Sequence, residues 1–163
     1  MLVAKFAGTK EALRLSKFFL FQWHRDGQLP FASMMQNINH GDAAILACQH
    51  WIADNYERAD AVSEMAAQSG LLKRTFDRRF KAATGYSPLN YIQALRIEEA
   101  KQLLETTDVP VEQIGREVGY EDAASFRRLF KRIANMSPGD YRKNFQLPAF
   151  VTKALAKHPQ AAE

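Results

Sequence analysis

Phe76-Asp-Arg-Arg-Phe-Lys81, followed by Ser87-Pro-Leu-Asn-Tyr91, returns fifty residues later as Phe126-Arg-Arg-Leu-Phe-Lys131 and Ser137-Pro-Gly-Asp-Tyr141. Seven positions of this sixteen-residue frame are identical: Phe76, Arg78, Phe80, Lys81, Ser87, Pro88 and Tyr91 match Phe126, Arg128, Phe130, Lys131, Ser137, Pro138 and Tyr141. Upstream, Met65-Ala66 and Gly70 correspond to Ile114-Gly115 and Gly119 at an offset of forty-nine, so the second turn is one residue longer. Two copies at this spacing are too few and too far apart for a solenoid. The repeat predicts two copies of one small helical unit joined by a long helix.

Working outward, apolar residues recur three and four apart from Ala43 to Phe145, and alternating strand-like runs are scarce. The spacing predicts seven helices, at Ala43–Asn55, Ala61–Ser69, Leu72–Ala83, Pro88–Leu104, Val111–Val118, Ala123–Ala134 and Pro138–Lys143. Asp42 and Asp60 are N-cap candidates. Ser87-Pro88 and Ser137-Pro138 each offer a capping hydroxyl followed by proline at the first helical position. In each copy a short helix leads to a turn glycine, Gly70 or Gly119, and then to a longer helix. Glycine adopts the left-handed backbone that ends one helix and re-aims the chain, which makes this the helix-turn-helix layout. The predicted fold is all-α: two such subdomains, a connecting helix, and an N-terminal helical extension.

The longer helices have two faces. Phe76, Phe80 and Ala83 form an apolar stripe in the first, and Phe126, Phe130 and Ile133 in the second; these aromatics belong to the core. Arg74, Asp77, Arg78 and Lys81 line the other side of the first helix. Ala124, Arg127, Arg128 and Lys131 line that of the second, at the spacing of one helix face. The chain carries a formal charge of only +4. From Ala43 to Phe145 there are fifteen basic and fourteen acidic residues, a net +1. Yet Lys73–Lys81 holds five basic residues and one acidic, and Arg127–Arg132 holds four basic and none acidic. Duplicated cationic helix faces on a nearly neutral domain point to an anionic partner.

The 163 residues suffice for one domain or a domain and a half. A single cysteine, Cys48, excludes an intramolecular disulfide framework and fits a reducing compartment. No run approaches the ~18 consecutive apolar residues of a membrane span. Cys48-Gln49-His50 does not read as a thiol catalyst, because Ile45, Cys48 and Ile52 follow helical core spacing. His24, His40 and His158 have no nearby Cys/His cluster for a metal, and there is no glycine-rich phosphate loop. The reading is therefore not an enzyme, with no catalytic residues, metal or cofactor.

Met65-Ala-Ala-Gln-Ser-Gly70, Arg74-Thr-Phe-Asp-Arg-Arg-Phe-Lys81, Thr84-Gly-Tyr-Ser-Pro88, Leu103-Leu-Glu-Thr-Thr-Asp108, Val118-Gly-Tyr120, Phe126-Arg-Arg-Leu-Phe-Lys131 and Met136-Ser-Pro-Gly-Asp-Tyr141 resemble the AraC/XylS family of bacterial transcription regulators. The resemblance covers about Ala43 to Phe145. It implies a DNA-binding domain at 43–145, divided into a first helix-turn-helix (43–86), a connecting helix (87–105) and a second helix-turn-helix (106–145). It also implies that both recognition helices enter the major groove of double-stranded DNA, in a protein of the bacterial cytoplasm associated with the nucleoid. RNA polymerase is a further partner if the protein is an activator.

By the same resemblance, Arg74, Asp77 and Arg78 face bases in the first helix. Ala123, Ala124, Ser125, Arg127 and Arg128 take the equivalent places in the second. Arg78 and then Arg74 are the leading candidates for guanine contacts. Asp77 either accepts from a cytosine amine or orients a neighbouring arginine. Lys73, Lys81, Lys131 and Arg132 meet phosphates, which set register without reading sequence. Arg127 and Arg128 share that task if the two alanines leave the second half poor in base contacts. Arg79 points between the faces and is structural. Ile92, Leu95, Leu103 and Leu104 pack the connecting helix onto the two units.

Residues 1–42 carry a second resemblance. Ala7-Gly8, the helix around Ala12–Phe21 and Arg25-Asp-Gly-Gln-Leu-Pro30 are similar to the closing segment of the PfpI-type, class I glutamine-amidotransferase-like domain that precedes the DNA-binding domain in GlxA-like members. The resemblance implies that this segment is the remnant of a sensor-type domain, in a truncated or reduced version of such a regulator. Its apolar residues, Leu13 to Trp23, predict docking on the DNA-binding domain or a homodimer. An alternative function, as a membrane-surface or dimerisation module, rests on Lys10, Arg14, Lys17 and the adjacent phenylalanines. The alanine- and proline-containing tail, 146–163, is assigned no function.

Overall fold

The computed structural model describes residues 38–147. The helix expected around Ala12–Phe21, with the rest of residues 1–37, and most of the tail lie outside the described residues. Within them the chain forms seven helices and no strand: α1 (Ala43–Ala53), α2 (Ala61–Gln68), α3 (Lys73–Thr84), α4 (Pro88–Thr106), α5 (Val111–Glu117), α6 (Ala123–Ala134) and α7 (Pro138–Phe145).

Local chemistry sets most of the boundaries. The Asp42 carboxylate accepts from the Ile45 N–H and starts α1. Ser87 and Ser137 accept from the N–H groups of Asn90 and Asp140, with Pro88 and Pro138 opening α4 and α7. Asp60 departs from expectation: it stands at the N-cap of α2 but makes no side-chain cap bond. Its ψ of 18° is far from the extended backbone that aims a capping side chain at the first turn. α3 ends at Gly85 (φ +83°) and α6 at Asn135 (φ +58°), fifty residues apart and both left-handed. Asparagine takes the glycine's place because its short polar side chain tolerates that region.

Two separate cores form, one per repeat. Ile45, Cys48, Ile52, Met65, Phe76 and Phe80 pack with Tyr91, Ile92 and Leu95 from the first half of α4. Ile114, Val118, Phe126, Phe130 and Tyr141 pack with Ile97, Ala100 and Leu104 from its second half, with half-buried Leu103 beside them. The four recognition-helix phenylalanines are fully buried. The repeat extends to ring geometry: Phe80 meets Tyr91 edge-on at 5.3 Å, and Phe130 meets Tyr141 edge-on at 5.5 Å. A buried Lys101–Glu98 ion pair at 2.6 Å lies on the second half of α4. The changeover between the cores falls at position 96.

Candidate nucleic-acid interface

The charged faces identified in the sequence lie outside the cores. On α3, Lys73, Arg74, Arg78 and Lys81 are exposed and Asp77 is half-buried. On α6, Ala124, Arg127, Arg128, Lys131 and Arg132 are exposed, with Ala123 and Ser125 half-buried. Each helix is anchored by its phenylalanines, so the opposite side is presented to solvent by the same periodicity that buries the rings.

The two faces differ in how their cations are held. Arg74, Arg78 and Lys81 of α3 have no ion-pair or hydrogen-bond partner among the described residues. Lys73 donates to Asp77 at 2.9 Å. Asp77 therefore engages a lysine one turn back, and the neighbouring arginines are not its partners. On α6 the arginines are engaged. Arg127 donates to Glu112 of α5, and Arg128 donates to Ser125 Oγ at 3.0 Å with Asp122 3.9 Å away. Arg132 donates to Gln93 of α4 at 3.0 Å. Lys131 alone of these four has no such partner among the described residues.

The helix starts differ as well. Asp122 caps α6, accepting from the N–H groups of Ala124 and Ser125. The Ser125 side chain, and then these two backbone bonds, hold its carboxyl below the ordinary carboxylate range. α3 begins at Leu72 without a side-chain cap. Leu72 is 82% exposed beside the cationic face. The periodic pattern placed it inside the helix; its position at the N-cap explains why it escapes burial.

Asp42 links α1 to α3: Arg79 grips it with two bonds, Nη2 at 2.7 Å and Nε at 2.8 Å. Arg79 is thereby removed from the exposed face and fixes the recognition helix against α1. The side-chain bond from Arg79 holds the Asp42 carboxyl below its usual range. A cleft of about 370 Å³ lies between α4 and α6, lined by Gln93, Tyr120, Ser125, Arg128, Leu129 and Arg132. Cys48 is buried and donates to the Met65 carbonyl at 3.5 Å. Burial pushes its thiol pKa up, which disfavours a nucleophilic thiolate. No helix among the described residues is long and apolar enough to cross a membrane.

This duplicated architecture has close counterparts. A family profile described as a helix-turn-helix domain matches residues 65–144. The crystal structure of the DNA-binding domain of AdpA, a global transcriptional factor in complex with a target DNA, is 31% identical; the match covers 71% of this chain and 96% of that one, with a TM-score of 0.59. The chain belongs to the AraC-type helix-turn-helix family. The MmsAB operon regulatory protein of Pseudomonas aeruginosa is 32% identical over 116 residues, 71% of this chain and 37% of that protein. This AraC-type chain thus spans about two-fifths of the length of the curated relatives it matches. A probable AraC family transcriptional regulator from Rhodopseudomonas palustris shares the fold at 21% identity and a TM-score of 0.57, covering 64% of this chain and 98% of that one. The family and these relatives are regulators of transcription, not enzymes.

Proposed function

We propose that the chain is a sequence-specific transcription regulator that sets α3 and α6 into successive major grooves of double-stranded DNA. The observation that carries this reading is the exposed cationic face repeated on the second helix of two like units. The relatives support it: a domain solved on its target DNA and an operon regulatory protein. The nineteen residues of α4 span about 28 Å. That length suits two reading heads about one DNA turn, roughly 34 Å, apart. Any shortfall is met by bending the duplex, at an elastic cost of order 1–6 kcal/mol.

The first half reads more of the sequence. Arg78 and Arg74, unpartnered on α3, bind guanine edges, and exposed Leu72 meets a thymine methyl. Asp77 steadies Lys73 until DNA is bound. On α6, Ala123, Ala124 and Ser125 offer few hydrogen bonds, and Arg127 and Arg128 exchange their present partners for phosphates. Lys73, Lys81, Lys131 and Arg132 hold further phosphates, Arg132 and Arg128 from the walls of the α4–α6 cleft. RNA polymerase is the partner if the regulator activates. Residues 1–42 supply a homodimer contact as the end of a PfpI-type domain in a GlxA-like member, and the protein works in the cytoplasm on the nucleoid.

Duplex binding by fluorescence anisotropy across a salt series tests the reading. Six lysine and arginine phosphate contacts predict that log K falls with log salt at a slope of about −5.4. A slope near zero overturns it.

A further inference from the structure

One side chain that joins the two units lies neither on a recognition helix nor in a core. Arg96 stands near the middle of α4, between Leu95 of the first core and Ile97 of the second. Its Nε donates to the Tyr56 carbonyl at 2.7 Å, its Nη2 to the Arg58 carbonyl at 2.8 Å, and its Nη1 to the Gly119 carbonyl at 3.1 Å. Tyr56 and Arg58 lie in the loop between α1 and α2, and Gly119 in the turn between α5 and α6. All three acceptors are backbone, so the guanidinium fixes chain segments from both units and not mobile side chains. Only arginine offers a planar fork of five donors that can serve three such carbonyls at once. The guanidinium also lies 5.1 Å from the ring centroid of Tyr120, in the second unit.

A second, independent observation concerns the same junction. A Cβ built on Gly119 would stand 2.3 Å from the Glu57 carbonyl oxygen. The first unit's loop is therefore seated directly on the second unit's turn, at a distance only glycine permits. Gly119 also has φ +89°, so both its conformation and its neighbour require glycine. Tyr56, from the same loop, packs against both cores.

We infer that Arg96 and the Glu57–Gly119 contact form a latch that sets the angle and separation of the two recognition helices, and so makes the protein a ruler for the spacing between its DNA half-sites. This rests on the two-groove reading above. Each base pair inserted between half-sites displaces the second by about 3.4 Å and turns it by about 35° about the DNA axis. A rigid two-headed reader cannot follow that movement, whereas one with a loosened junction can. Arg96 is a positioning residue: it touches no base, and acts through the backbone it holds.

The test uses the full chain and a duplex selected by it from a random pool, then rebuilt with one or two base pairs added or removed between the half-sites, alongside duplexes carrying each half-site alone. Wild type should lose at least tenfold in affinity for a one-base-pair change. R96Q should compress that loss to threefold or less, while binding each single half-site within twofold of wild type. R96K, which keeps the charge but not the fork, should behave like R96Q, and G119A should relax spacing in the same direction. An unchanged spacing profile in variants that keep their helical circular dichroism overturns the latch. So does an equal loss at every spacing, or a wild type indifferent to spacing. If no duplex is enriched by the wild type at all, the failure belongs to the DNA-binding reading itself.

Discussion

Arg78 and Arg128 occupy the same place in the repeat, yet their surroundings separate them. Arg78 is free to make a bidentate contact, and Arg128 is held by Ser125 close to Asp122. Arg78→Ala should therefore cost about 1–3 kcal/mol at one base pair and flatten preference there. Arg128→Ala should weaken binding almost uniformly across sites and lower the salt slope by about one contact. Binding to a set of single-base-substituted duplexes distinguishes these outcomes; the reverse pattern would exchange the roles of the two halves. Asp42 carries a different prediction. Because Arg79 holds its pKa low in the folded state, its stabilisation is present above the ordinary carboxylate pKa and lost as pH falls through the folded-state value. Thermal unfolding should show Tm falling below about pH 4, with a shallower fall in Asp42→Asn. These pairings were not legible in the sequence. Asp42 and Arg79 lie thirty-seven positions apart, and no periodicity connects residues on different helices.

At the scale of elements, the helices were legible wherever the signal was local. Ser-Pro at 87–88 and 137–138 announces two helix starts by the chemistry of the first turn, and α4 and α7 begin there. Removing either hydroxyl, as Ser87→Ala or Ser137→Ala, should cost about 1 kcal/mol in urea unfolding at unchanged m-value. Asp60 shows where local reading stops. The residue type suits a cap, but the loop that delivers it leaves the backbone at an angle the carboxylate cannot use. Leu72 shows the same limit from the other side: the spacing makes it the first residue of the helix, whereas it stands at the N-cap, exposed to solvent. Arg96 carried no sequence signal of its role. It is one arginine in a connecting helix, and its three acceptors are main-chain atoms whose identity any residue can supply.

At the scale of the domain, the described residues form two cores strung on one helix, with cations gathered on α3 and α6, one supported by each core. Net charge on this domain is close to neutral, and only its arrangement points to an anionic partner. The all-α class followed from apolar residues recurring three and four apart and from the scarcity of alternating, strand-like runs. An asymmetry between the halves is already expected from Ala123 and Ala124, which offer few hydrogen bonds; the structure adds that Glu112, Ser125 and Gln93 engage the arginines of α6. The central claim is that one chain reads two half-sites, the first more sharply than the second. Selection of bound duplexes from a random pool by the full chain tests it most directly. The expected result is a bipartite consensus with centres about 10–10.5 base pairs apart, sharply specified on one side and degenerate on the other. A single compact site, two equally specified halves, or no enrichment would contradict it.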